Sequence, residues 1–336
     1  MRYTSSNPIN QNTWEPLLKK LQHRPIKPSQ RESIGFSAAF GFFAPKMMSH
    51  ELQNYLFISL TVEEKKLQKN KLKRLVAIRK REFAKQEKRE ISDLSKEERA
   101  GIKESVETRM LKDIVPDESY INAFLDTKQD LIYIDVASPT KVKRLIDRLA
   151  QLDKGFEARP FFDASLEVYL TQWLYDPDAN MPQDLCMNDE ATLRHDDKSK
   201  AVFTNQELDS KELITLINHD KKVIELALLR SGRLKFKLKS DGSIRKLKPT
   251  DLLMSDIDRP ENPTSIMQDI EADWIAMANE IDKLYQWMEQ IFEVNASLTD
   301  TTDNNAQPQS TLSTTVTQKE ELADSIDELS ALQQIA

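Results

Sequence analysis

Metal-assisted hydrolysis needs carboxylates or histidines that converge on one point, and this chain of 336 residues offers few candidates. His23, His50, His195 and His219 lie in separate segments without metal-ligand spacing. His195-Asp196-Asp197 has the right types for a divalent cation, but its polar surroundings fit a solvated acidic loop better. Asp135 ends the apolar run Leu131-Ile132-Tyr133-Ile134 and is the best single carboxylate for a hydrolytic centre, yet no partner stands at a fixed spacing from it. The six glycines are scattered and form no phosphate-cradling loop. Cys186 is the single cysteine, which excludes an internal disulfide and any multi-cysteine site. Nothing in this set calls for a cofactor or a resident metal.

The chemistry that stands out is that of charge. Between Lys65 and Arg89 there are twelve Lys and Arg against Glu82 and Glu87, a net of +10 in a chain whose total is −7. Unpaired charges at this density are too costly to bury, so the run is solvated or faces a polyanion. A second cationic element is Arg233-Leu-Lys-Phe-Lys-Leu-Lys239, where Arg233, Lys235, Lys237 and Lys239 fall on one face of a strand and Leu234, Phe236 and Leu238 on the other. From Asp251 onward, eighteen acids against three bases give −15, so the first 250 residues carry +8. A basic body with an acidic C-terminal part points to a nucleic-acid partner for the body. The residues are mostly lysines, with no recognition helix or stacking set, which favours backbone binding over base readout. Lys71, Lys73, Arg74, Arg79, Lys80 and Arg81 from the helix, with Lys235, Lys237, Lys239, Arg245 and Lys246 from the strands, are the expected phosphate contacts. Two other readings stay open: a metal-dependent DNA exonuclease using Asp135, and a scaffold whose basic helix binds an acidic protein, even its own tail.

These side chains must be held by a mixed α+β fold. High charge, few glycines and abundant Lys, Glu, Leu and Ile favour helices with some sheet. Residues 1–31 read as irregular at first, with a short helix around Trp14, Leu17, Leu18 and Leu21 that Pro25 and Pro28 end. Residues 34–45 read as a strand and turn, and Leu56 to Leu60 as a buried strand. Thr61-x-x-Glu64 and Ser95-x-x-Glu98 match capping boxes, predicting two helices. Ile102, Val106 and Met110 give the second its apolar stripe. Leu131 to Val136 reads as a strand, Pro139 as the start of a helix capped by Ser138, and Leu166, Val168 and Leu170 as a further strand. Residues 175–199 read as a surface connection with one helical turn, and Ser210 caps a helix carrying Leu213, Ile214 and Ile217. A three-stranded meander follows, Val223 to Leu229, Arg233 to Lys239 and Ile244 to Lys248, with Asp241-Gly242 as its second turn. Ile270, Trp274, Met277, Ile281, Leu284, Met288 and Ile291 form a four-three seam. That seam packs within its own subunit or pairs with a second copy. Residues 296–336 are polar and acidic and read as disordered. No stretch approaches the roughly 20 apolar residues that span a bilayer, and the N-terminus lacks the apolar core of a signal peptide, so the expected home is the cytoplasm, away from membranes.

The ordered series LIYIDVASPTKVKRLIDRLAQL (131–152), LEVYLTQWL (166–174), FTNQELDSKELITLINHDKKVIELAL (203–228), DGSIRKLKP (241–249) and DIDRPENPTSIMQDIEADW (256–274) resembles the bacterial recombination-associated RdgC family. The resemblance implies a nucleoid-associated, non-enzymatic protein. Its homodimer would form a ring around double-stranded DNA, without sequence preference, and antagonise the RecA recombinase. It implies no nuclease activity despite the family's old exonuclease label. It also implies a central sheet region (1–60, 115–175 and 220–250), a helical tip arm (61–114), a helical base (176–219 and 251–295) and a tail (296–336). Ile114 and Val115 match the tip contact, where the family carries an aromatic plug; Trp274, Ile281 and Leu284 belong to the base contact. A Lys-Lys-Gln stretch of the family appears as Thr204-Asn205-Gln206, which leaves Gln206 as a DNA-binding candidate. The family's extra strand before Arg2-Tyr3-Thr4 is missing or shortened here.

Overall fold

The computed structural model describes residues 1–208, 210–259 and 266–303, with side chains as far as 292. Two compact units divide it, Met1–Ala278 and Asn279–Ala336. Among the described residues the fold is mixed α+β, with two antiparallel sheets and nine helices.

The first sheet contains β1 (Arg2–Thr4), β2 (Glu32–Ser37), β3 (Ser49–Leu52), β4 (Tyr55–Glu64), β5 (Asp117–Asp126), β6 (Leu131–Ile134) and β7 (Glu157–Arg159). Its order is β2-β4-β5-β6-β1-β7, and β3 pairs with β4 beyond the end of β2. β4 is buried on both faces, which is why it reads as a nearly continuous apolar run. Leu56, Ile58, Leu60 and Val62 point to a core closed by Trp14 and Leu18 of α1 (Gln11–Lys20), with Leu145 and Leu149 of α4 (Pro139–Leu152). Tyr55 and Phe57 point the other way, into a cluster with Phe40, Trp274 and Ala278. The Phe57 and Trp274 ring centroids lie 4.8 Å apart. Gly35 is required where the chain crosses itself, since a Cβ there would stand 2.4 Å from the His23 Cα.

The arm is the connection between two paired strands. Glu64 of β4 stands opposite Asp117 of β5, and everything between them leaves the sheet as α2 (Lys69–Gln86) and α3 (Lys96–Lys112). Ser95 caps α3 as its sequence predicts, with reciprocal bonds to Glu98 of 3.1 and 2.8 Å. Thr61 does not cap α2. It lies inside β4 and donates to Ser37, because the apolar alternation carries the strand through Val62; α2 starts eight residues later, with Gln68 as an N-cap that makes no side-chain bond. Lys65, the first residue of the basic run, is buried, and its Nζ donates to the carbonyls of Pro28 at 3.0 Å and Leu111 at 2.7 Å. Arg31 pairs with Glu107 of α3, and Lys66 with Asp117 at 2.8 Å.

The second sheet has the order β12-β11-β10-β8-β9, from β8 (Leu185–Arg194), β9 (Lys200–Thr204), β10 (Lys222–Arg230), β11 (Leu234–Lys239) and β12 (Ile244–Pro249). The meander is as expected, but β8 occupies residues 185–194 of the expected surface connection and β9 follows just after it; α6 (Pro177–Asn180) is its helical turn. The run Leu166 to Leu170 is not a strand. α5 (Glu167–Tyr175) forms there, because Leu166, Leu170, Trp173 and Leu174 share a helical face and are buried while Val168 faces out. α5 lies on β10, where the Thr171 hydroxyl accepts from the Val223 N–H at 3.0 Å. α7 (Lys211–Asn218) and α8 (Asp251–Ser255) complete this region, although neither Ser210 nor Ser138 makes a side-chain cap bond.

β1 shows that residues 2–4 are extended and internal to the sheet, flanked by β6 and β7. The last helix, α9 (Ile266–Asp303), runs past the expected start of the disordered tail, so residues 296–303 are helical; 304–336 lie outside the described residues. In the second unit Leu284, Met288 and Phe292 are buried at four-residue spacing.

Lys65→Met keeps the stem of the side chain and removes its donors from the buried Leu111 carbonyl and from that of Pro28. Urea unfolding should show a loss of about 1–3 kcal/mol, with faster tryptic cleavage inside the arm. An unchanged midpoint and cleavage rate would show that Lys65 does not anchor it.

Candidate nucleic-acid interface

The basic run divides into structural ends and a free middle. At its start Lys65 is committed to the carbonyls of Pro28 and Leu111 and Lys66 to Asp117 of β5, and at its end Arg89 bonds Glu98 at 2.7 Å. Within α2, Lys71, Lys73, Arg74 and Arg81 are exposed and Lys80 is half-exposed; no ion pair holds any of the five among the described residues. Arg79 alone of the candidates is paired, to Glu82 at 3.0 Å. Lys73 and Lys80 stand seven residues apart on one face, and Arg74, Arg81 and Lys85 at seven-and-four spacing on another. Leu72, Leu75, Val76 and Phe83 supply the half-buried face between these cationic flanks.

The second sheet presents the opposite case. Lys235, Lys237 and Lys239 share the face that Leu234, Phe236 and Leu238 leave, and Arg245 stands opposite Lys237 on β12. On β10 the cross-strand partner of Lys239 is Glu225. β8 brings a second acid beside a bulge: Ala191 pairs with Leu226 and Met187 with Leu228, so three β8 residues stand against one of β10. The last of those three, Glu190, reaches over the sheet. It ion-pairs with Lys237 and bonds Lys246 at 2.9 and 3.1 Å. Glu225 lies 3.4 Å from Lys237 and 3.9 Å from Arg245. Lys239 bonds Asp241 at 2.6 Å. Lys235 has no ion partner among the described residues. The bonds from Lys237 and Lys246 hold the Glu190 carboxyl below the usual glutamate value. Burial works against the Lys237 ammonium, but Glu190 and Glu225 outweigh it and raise its pKa. Gln206 is exposed in the turn after β9, and its N–H donates to the Asp189 carbonyl beside the bulge at 3.4 Å.

A family model described as "Putative exonuclease, RdgC" matches residues 1–295. The chain belongs to the RdgC family. A protein of Shewanella loihica named "Recombination-associated protein RdgC" is 28% identical over 307 residues, covering 89% of this chain and 97% of its own length. One of the same name from Mannheimia succiniciproducens is 32% identical over 207 residues, 59% of this chain and 65% of its own. A third, from Pseudoalteromonas translucida, is 27% identical over 296 residues, covering 86% and 94%.

In this RdgC chain the two expected subunit contacts differ in availability. Val115 is 84% exposed just after α3, and Ile114 beside it is half-buried. Trp274 instead packs on Phe40 and Phe57 of its own chain, Leu284 is fully buried within the single chain and Ile281 is half-buried. Asp135 is exposed just past β6, and its N–H donates to the Asn122 carbonyl at 2.9 Å. Among the described residues no three His, Cys, Asp or Glu gather as metal ligands, and no helix is long and apolar enough to cross a membrane. Glu190 and Glu225 are the residues that sequence reading misses. Glu225 lies in plain alternation opposite the lysines, and Glu190 shares the face of Thr192, the β8 partner of Glu225; that link requires the β8–β10 pairing, which no local periodicity reveals.

The sign of the Glu190 linkage is fixed by its lowered pKa: its stabilising effect is complete above the ordinary value of 4.5 and is lost as pH falls through the lower, folded value. The stability gap between the native protein and Glu190→Gln should therefore be flat from about pH 6 to pH 9 and close below about pH 4.5 in urea titrations. A gap that persists undiminished at pH 3 would remove the ion pair as its cause.

Proposed function

We propose that this RdgC protein binds double-stranded DNA through its phosphates, without reading bases, and acts in recombination. The carrying observation is the middle of α2, where Lys71, Lys73, Arg74, Lys80 and Arg81 have no ion partner among the described residues, in a chain of net charge −7. Each such cation that neutralises a phosphate releases condensed counterions, which supplies affinity independent of sequence. The names of the relatives, all "Recombination-associated protein RdgC", support the process. The finer reading is a homodimer closed through Ile114 and Val115 at the arm and through the α9 region, encircling duplex DNA in the nucleoid and opposing RecA. Trp274, already packed on Phe40 and Phe57 of its own chain, contributes to that closure by fixing the start of α9. Lys235, Lys237, Lys239, Arg245, Lys246 and Gln206 provide a second phosphate-facing surface. The protein does this without hydrolysing DNA, and Asp135 serves as an ordinary strand-end carboxylate. End-labelled duplex incubated with Mg²⁺ or Mn²⁺ should keep its label; release of nucleotides would establish the nuclease instead.

Anisotropy titrations against unrelated duplexes should give equal affinities that fall steeply with salt. Lys71→Gln, Lys73→Gln and Arg74→Gln together should weaken every duplex alike and flatten the log–log salt slope by up to about 2.7, at about 0.9 per lost phosphate contact. An unchanged slope would take α2 out of the interface. Sedimentation should show a dimer, with Val115→Glu shifting it towards monomer; an unaffected dimer would place the closure elsewhere.

A further inference from the structure

The lysine face of the second sheet holds its own competitor for phosphate. We propose that Glu190 is a built-in phosphate surrogate. It occupies Lys237 and Lys246 in the free protein, and a duplex must displace it before the sheet contributes to binding. This rests on the DNA-binding reading above and adds to it which part of the surface is held in reserve.

Register and one backbone irregularity bring these groups together. Glu190 shares the face of Thr192, the β8 partner of Glu225, and a register shift in β12 puts Lys246 in the left-handed region, with φ +50. A lysine adopts that conformation at a cost, and its Nζ ends between both oxygens of the Glu190 carboxylate. Glu190 and Lys237 are only 20% and 13% exposed at their side chains, so solvent screens their attraction poorly. Glu225 holds Lys237 from the other side and lies near Arg245. Three cations against two carboxylates leave this patch at +1, whereas the middle of α2 is uncompensated. A carboxylate held by two ammonium groups stands where a phosphate would. Lys246, largely exposed, is the point at which an incoming phosphate starts the exchange. A lysine held by Glu190 neutralises no phosphate, and so displaces no counterion from the duplex, until that carboxylate lets go. The arm therefore sets the salt dependence of the native protein, and the sheet adds to it only when Glu190 lets go.

Glu190→Gln keeps the shape and removes the charge, raising the patch to +2. In duplex anisotropy titrations it should bind about ten-fold tighter at moderate salt, with a log–log salt slope steeper by about one to two; Glu225→Gln should move both quantities in the same direction. Native protein that binds duplex while a cooperatively melting Glu190→Gln shows unchanged or weaker affinity would overturn the surrogate and leave the DNA reading standing. Native protein that fails to bind duplex at low salt would overturn both. Should Glu190→Gln lose its cooperative melt, Glu225→Gln in the otherwise native chain decides the matter. A carboxylate that restrains Lys237 predicts tighter binding and a steeper salt slope on its removal, and unchanged or weaker affinity rejects the proposal.

Discussion

The first sheet depends on the unbroken ladder between β4 and β5. Ten residues pair one to one, from Tyr55 with Asp126 to Glu64 with Asp117, without a bulge. That regularity fixes which side chains face which core, since a slip of one residue would exchange every inward and outward group. It keeps Leu56, Ile58, Leu60 and Val62 under α1 and α4, and Tyr55 and Phe57 under Phe40 and Trp274. It also sets the root of the arm. Two strand ends locked opposite each other give α2 and α3 adjacent starting points, so the long insertion between them closes as a helical hairpin rather than an open loop. Lys65 completes the root, because an ammonium bonded to the carbonyls of Pro28 and Leu111 costs less to bury than a bare one.

The two basic surfaces follow different electrostatic rules. On α2 the cations are spread around a helix in water, where mutual repulsion is screened within about 8–10 Å, and they need no partners. On the second sheet the lysines stand on adjacent strands about 4.8 Å apart, half-sunk among other side chains. Like charges so placed require carboxylates between them, and Glu190, Glu225 and Asp241 fill that need. A dense cationic stretch of sequence thus becomes a free surface on an isolated helix and a compensated one in a sheet.

The legible parts of the sequence were those where one local rule acted alone. Ser95 and Glu98 close their box through one Glu98 oxygen while the other takes Arg89, so the ion pair does not compete with the cap. Thr61 and Glu64 offer the same letters, but the ladder to β5 claims them first. The meander was readable from Leu234, Phe236 and Leu238 and from Asp241-Gly242, where the Asp241 carboxylate accepts from the Ser243 N–H at 3.0 Å. Leu166, Val168 and Leu170 satisfy the strand period, and Leu166, Leu170 and Leu174 the helical one; burial of Trp173 settles it for the helix. β8 was hidden for a different reason. Its apolar positions, Leu185, Ala191 and Leu193, are interrupted by Asn188, Asp189 and Glu190, which belong to the bulge.

That hidden strand matters most for the candidate interface, because it changes the meaning of residues that were correctly placed. Lys237 and Lys246 lie on the expected element and the expected side, yet their surroundings depend on a strand distant in sequence. Face assignment follows from period alone; net charge of the face requires the register of every neighbour. The register of β8 sets Glu190 on the lysine face, where it pairs with Lys237 and with Lys246, whose own backbone is left-handed. A left-handed lysine weakens a sheet, so a fold that uses one to join one carboxylate to two ammonium groups gains something other than ladder stability at this point. What it gains is a basic surface whose charge is held in check until a stronger anion arrives.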